Sequence, residues 1–94
     1  MFNNKTILIT GGTGTFGTNF VKYIIKKKIK VKKIIIFSRD EFKQNKMKNH
    51  FTNNKIVNLR YFIGDIRDKE RLRMALNDVD IIIHAAALKH VPIS

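Results

Sequence analysis

Four short apolar runs punctuate the chain, and between them apolar residues return every three or four positions. Lys5 to Thr10, around Ile7-Leu8-Ile9, predicts a first strand whose continuous apolar character suits burial on both faces of a parallel sheet. Phe16, Phe20, Tyr23 and Ile24 then fall at i, i+4, i+7 and i+8, the spacing of one face of a helix. On this reading Tyr23 packs on the sheet. A second strand is expected over Lys33–Phe37, and a helix from Asp40 onward with Phe42, Met47 and Phe51 turned to the sheet. Thr52-Asn53-Asn54 breaks that helix, and Leu59–Ile63 forms a third strand closed by Gly64. Asp68 is placed to cap a helix in which Leu72, Ala75, Leu76 and Val79 share a face. Asp80–His84 is the fourth strand, and Ala85-Ala86-Ala87 turns away from its end.

The order β-α-β-α-β-α-β with short links predicts an α/β fold, a Rossmann-type doubly wound parallel sheet with helical crossovers. Its expected strand order is that of the 3-2-1-4-5-6 sheet, of which about four strands are present. An apolar fourth strand at an edge invites aggregation. Residues 1–94 therefore read as one unit, the N-terminal part of a dinucleotide-binding domain in a longer protein, without its substrate-binding and catalytic half.

Composition changes this picture little. A hydrophobic content of 44% belongs to a globular chain and excludes wholesale disorder. With no cysteine, disulfides, thiolate metal sites and cysteine nucleophiles are excluded. No apolar run approaches the roughly 20 residues of a membrane span, and a cytoplasmic location is expected. The net charge of +12 centres on Lys26-Lys27-Lys28, Lys30, Lys32 and Lys33. No aromatic–basic interleaving accompanies it, so a lysine-rich helix end and solvated loop explain it better than nucleic acid or membrane does.

The chemistry begins at Thr10-Gly11-Gly12-Thr13-Gly14-Thr15-Phe16-Gly17. Gly12, Gly14 and Gly17 satisfy G-x-G-x-x-G, while Gly11, Gly14 and Gly17 satisfy T-G-x-x-G-x-x-G. Such glycines turn the chain out of a strand, admit a pyrophosphate to the backbone, and let the helix pack closely. The following helix N-terminus then presents unpaired N–H groups to phosphate. Gly11, Thr13, Gly14, Thr15, Phe16 and Gly17 are the expected phosphate-side contacts.

Ligands of this fold lie beyond the carboxyl ends of the strands, so three more segments matter. Ser38-Arg39-Asp40-Glu41-Phe42-Lys43 follows the second strand. A guanidinium with a lysine one turn on suits the 2′-phosphate of NADP, whereas Asp40 leaves NAD open unless it serves as a helix cap. After the third strand, Asp65 and Ile66 are candidates for the adenine amino group and ring face. After the fourth, Ala85 and Ala86 allow close approach of a ribose or nicotinamide, and Lys89 stands where cofactor meets substrate. His84 and His90 lack further ligands for a metal, and His84 is expected to end its strand with a satisfied ring. Tyr23 and Lys27 match Y-x-x-x-K, yet they lie on the first helix rather than beside a nicotinamide; Tyr23 reads as core and Lys27 as surface.

Together the glycine loop, Phe37-Ser38-Arg39-Asp40-Glu41, Phe62-Ile63-Gly64-Asp65-Ile66-Arg67-Asp68 and His84-Ala85-Ala86-Ala87-Leu88-Lys89-His90-Val91-Pro92 resemble the extended short-chain dehydrogenase/reductase family. Within it they look most like the inverting UDP-N-acetylglucosamine 4,6-dehydratases of bacterial pseudaminic acid and capsule-sugar pathways, the S-R-D-E and A-A-A-L-K-H-V-P segments being far more specific than the glycine loop. The resemblance implies NADP as cofactor, a UDP-sugar substrate, a homo-oligomer when full length, and contact of Lys89 with cofactor or substrate. The implied reaction is redox-neutral overall. Hydride leaves C4 of the sugar, the acidified C5 proton departs, water is lost from C6, and hydride returns to C6 with inversion at C5. The family's catalytic Tyr-x-x-x-Lys beside the nicotinamide has no counterpart here, which implies that these residues alone are inactive. A sugar-nucleotide epimerase or reductase of the same family, and a catalytically silent NADP-binding fragment, remain alternatives.

Overall fold

The computed structural model describes residues 1–85. Seven elements alternate along them: β1 (Thr6–Thr10), α1 (Thr15–Lys26), β2 (Lys33–Ser38), α2 (Glu41–His50), β3 (Leu59–Ile63), α3 (Lys69–Ala75) and β4 (Ile81–His84). The strands form one parallel sheet in the order β3-β2-β1-β4. The chain therefore reverses its direction of growth at β1, leaving a crevice between the ends of β1 and β4 as doubly wound sheets do. In register, Thr10 lies beside Phe37 on one side and His84 on the other.

The core is two-sided. Ile7, Ile9, Ile34 and Ile36 face Val21 and Ile24 of α1 and Met47 of α2. Leu8, Ile35 and Phe37 face the opposite way, onto Ala75, Leu72, Leu76 and Val79. Every residue of β1 is buried, which is why its sequence is apolar without alternation.

Two predicted helix faces are displaced. On α1 the inward positions are Gly17, Val21 and Ile24, whereas Tyr23 is 50% exposed and Phe16 lies at the surface. Gly17 sets this rotation: the helix backbone touches the loop there, so the face centred on it meets the sheet, and of the predicted face Phe20 and Ile24 keep their core contacts while Phe16 and Tyr23 do not. On α2 Phe42 is 76% exposed, and the buried residues are Gln44 and Met47. Hydrogen bonding overrides hydrophobic pattern here, because Gln44 finds partners at the strand ends. Phe51, expected on the inner face, is partly buried against the core. Asp68 caps α3 by accepting from the Arg71 N–H at 3.2 Å, as its position predicts.

Candidate functional site

An open cleft of about 1330 Å³ lies along the carboxyl edge of the sheet. That exceeds the volume of a pocket for a drug-sized ligand and suits a longer molecule. Each strand contributes one wall.

The loop after β1 supplies Thr10, Gly11, Thr13, Gly14, Thr15 and Phe16. Gly11 has φ of 65°, a left-handed conformation that glycine adopts without strain, and its N–H donates to the Phe37 carbonyl at 2.8 Å. Gly17 is buried behind this loop rather than lining it. A Cβ there would overlap the backbone carbonyl of Gly12, so only glycine lets α1 start this close to the turn. Gly14 differs: a Cβ on it meets only the Gly11 carbonyl, at 3.9 Å, and would project into open space at the helix start.

The three helix N-termini are treated differently by the sequence. Asp40 caps α2, its Oδ1 accepting from the Lys43 N–H at 3.1 Å, and Asp68 caps α3. At α1 the cap is Gly14, with no side-chain cap and no acid in the first turn. Its N–H groups and positive dipole end open on the cleft, a ready anion site at a glycine turn. Asp40 thus performs the capping role that competed with a ribose contact.

The segment after β2 places Ser38, Arg39, Asp40, Glu41, Phe42 and Lys43 on the cleft. Ser38 ends the strand and is buried, whereas the Arg39 side chain is 71% exposed. After β3 come Gly64, Asp65, Ile66 and Arg67. Gly64 sits over the Phe37 ring, and a Cβ there would approach Cζ to 2.7 Å. Arg71 steadies this end of β3, donating through Nε and Nη2 to the Ile63 carbonyl and lying 4.3 Å from the Phe62 ring centroid.

Asp65 is the most heavily engaged carboxylate of the cleft. Arg67 donates to it from both its guanidinium and its backbone N–H, and Arg39 Nη1 stands 3.7 Å away. These contacts, the Arg67 side-chain hydrogen bonds foremost, hold its carboxyl down at about 2, so it is a carboxylate at every physiological pH. At the fourth wall, Ala85 lines the cleft, and Thr10 Oγ1 meets His84 Nδ1 at 2.9 Å, giving that ring a partner. Ala86 and Lys89 lie outside the described residues.

Sequence reasoning missed Arg67 and Gln44. Arg67 stands in a turn two residues beyond Asp65, a spacing that brings a guanidinium back onto a carboxylate. Gln44 is hidden in a polar helix where nothing in the pattern sets it apart. Tyr23, at half exposure on α1, is eight residues from the start of that helix, about 12 Å along its axis and away from the cleft. No helix among the described residues is long and apolar enough to cross a membrane.

A parallel sheet that reverses at β1, with an uncapped glycine turn opening on a carboxyl-edge cleft, defines a Rossmann-type nucleotide-binding fold. The chain belongs to the family described as polysaccharide biosynthesis protein, whose sequence model matches residues 7–94. It is 57% identical over 94 residues to a UDP-N-acetylglucosamine 4,6-dehydratase (inverting) of Campylobacter jejuni, covering all of this chain and 27% of that protein. It is 48% identical to a UDP-glucose 4-epimerase of Rickettsia bellii, covering 98% of this chain and again 27% of the relative. Among solved structures, the dTDP-glucose 4,6-dehydratase of Bacillus anthracis in complex with NAD superimposes with a TM-score of 0.68 at 28% identity. That match covers 85% of this chain and 26% of the other. The chain thus spans about a quarter of the length of these relatives. Its glycine turn, uncapped helix start and elongated cleft fit a nicotinamide dinucleotide.

Proposed function

We propose that this chain forms the NADP-binding part of an inverting UDP-N-acetylglucosamine 4,6-dehydratase serving bacterial surface-polysaccharide sugar synthesis. The similarity over the whole chain to the Campylobacter jejuni enzyme supports the reaction class. The observation that carries the cofactor choice is the end of β2. Arg39 and Lys43 face the cleft there, and the nearby Asp40 carboxylate is already occupied as a helix cap. An exposed guanidinium beside an ammonium matches a phosphate dianion, whereas a ribose 2′-hydroxyl needs a free acceptor.

In this reading the α1 N-terminus and the loop from Gly11 to Phe16 hold the pyrophosphate. Ser38, Arg39 and Lys43 take the 2′-phosphate, with Glu41 and Phe42 flanking it. Asp65 and Ile66 receive the adenine, and Ala85 and Ala86 leave room for the nicotinamide ribose. Lys89 stands at the sugar-nucleotide boundary. The bound dinucleotide would supply the hydride acceptor and donor, and these residues bind and orient it.

Two measurements test this. Arg39→Ala should weaken NADPH binding at least tenfold and NADH binding less than threefold; equal losses would remove Arg39 from the 2′-phosphate. The complete protein, supplied with UDP-N-acetylglucosamine, should release a 4-keto-6-deoxy sugar nucleotide detectable by NMR. The Rickettsia bellii relative keeps a 4-epimerase as the second reading, and formation of the 4-epimer from a UDP-sugar without loss of water would favour it.

A further inference from the structure

Gln44 is 3% exposed on a helix that otherwise turns polar residues to water. Its Nε2 lies 2.9 Å from Ser38 Oγ, 3.1 Å from the Phe62 carbonyl and 3.4 Å from the Ser38 carbonyl. Two of these neighbours are carbonyl oxygens, which accept and never donate. They fix the amide with its nitrogen toward the sheet, because the reversed amide would set oxygen against oxygen.

That orientation decides what Ser38 can do. An amide nitrogen has hydrogens to give and no lone pair to receive with, so the Ser38 oxygen accepts from Gln44 and keeps its own hydrogen free. Among the described residues no protein acceptor takes that hydrogen. Ser38 lines the cleft beside Arg39 and Lys43, so its hydroxyl is a donor toward whatever binds at the end of β2.

Resting on the dinucleotide reading above, we propose that Gln44 is a positioning residue that makes the Ser38 hydroxyl an obligate donor to an oxyanion, the 2′-phosphate of the cofactor. Ser38, Arg39 and Lys43 then present three donor groups to three phosphate oxygens. The side chain that aligns the first of them never touches the ligand.

The test compares NADPH and NADH binding to the complete protein, followed by cofactor fluorescence, for Ser38→Ala, Gln44→Met and the double variant. Thermal melting establishes that each is folded. Ser38→Ala should weaken NADPH about tenfold, the loss of one charge-assisted hydrogen bond, and NADH less than twofold. Gln44→Met should give the same NADPH-selective loss, and the double variant should be no weaker than the weaker single, because Gln44 acts through Ser38. Equal weakening of both cofactors by Gln44→Met would make the residue merely structural. Additive losses in the double variant, or unchanged NADPH binding in Ser38→Ala, would also overturn the proposal. Should Gln44→Met not fold, Ser38→Ala and Gln44→Glu decide it: a carboxylate at 44 accepts the Ser38 hydrogen and must lower NADPH affinity selectively. Wild-type protein that binds neither cofactor would instead refute the dinucleotide reading itself.

Discussion

Arg67 folds back on Asp65, its Nη2 2.8 Å from Oδ2 and its backbone N–H 2.9 Å from Oδ1, so one residue grips the carboxylate from both ends. The pair closes the turn after β3 at the lip of the cleft. Since the Asp65 carboxyl is held at about 2, below its ordinary 3.8, the folded state binds its proton less readily than the unfolded chain. The resulting stabilisation is fully present above about pH 4 and is lost as pH falls toward 2.

Wild type should therefore be more stable than Asp65→Asn at pH 5, with the difference vanishing as the solution is taken down to pH 2. Melting temperatures across that range check it. A difference independent of pH would mean that the ionised carboxylate is not what holds the turn.

Gly17 and Gly14 should separate packing from binding. Gly17→Ala forces a Cβ into the Gly12 carbonyl and should cost about 3 kcal/mol of stability. Gly14→Ala has room, at an extended backbone conformation, and should change stability by less than about 0.5 kcal/mol. Its methyl group nonetheless enters the space where phosphate would sit, so NADPH binding should fall by tenfold or more. Denaturant titration and cofactor binding on the two variants suffice; unchanged binding in Gly14→Ala would move the pyrophosphate elsewhere.

Phe42 and Met47 lie on the same helix with opposite consequences. Phe42→Ala should leave stability within about 0.5 kcal/mol, because that ring is largely in water. Met47→Ala empties a site 4% exposed and should cost about 2–3 kcal/mol. A cost for Phe42→Ala as large as that for Met47→Ala in urea melts would put Phe42 back beside Met47 on the face read from hydrophobic spacing.

Gly64→Ala should be destabilising by about 1–3 kcal/mol, since the new methyl meets the ring of fully buried Phe37. Phe37→Leu in the same protein should recover part of that loss by withdrawing the ring edge. A lack of recovery would place the strain in the turn instead.

Much of this architecture was legible residue by residue. The apolar runs at Ile7-Leu8-Ile9 and Ile34-Ile35-Ile36 announce buried parallel strands, because a strand covered on both faces has no position left for water. The glycine loop, the caps at Asp40 and Asp68, and the strand order follow from local spacing and the crossover rules. The segments that line the cleft were legible for the same reason, since a strand's carboxyl end is known once the strand is known, but Arg67 was missed and Gly17 lies behind the loop.

The α3 face of Leu72, Ala75 and Leu76 packs as its spacing predicts, but the tertiary structure alone decided how α1 and α2 turn about their axes. Tyr23 and Phe42 fit a helical apolar face as well as their neighbours do, yet both are exposed. The backbone contact at Gly17 and the three acceptors around Gln44 set the rotations instead. Such contacts depend on backbone approach and on hydrogen-bond partners, Gln44 reaching six residues back to Ser38 and 18 forward to Phe62, and a pattern of apolar and polar letters carries neither. Sequence therefore determined the sheet and the cleft along its carboxyl edge, while packing determined which side chains reach that cleft.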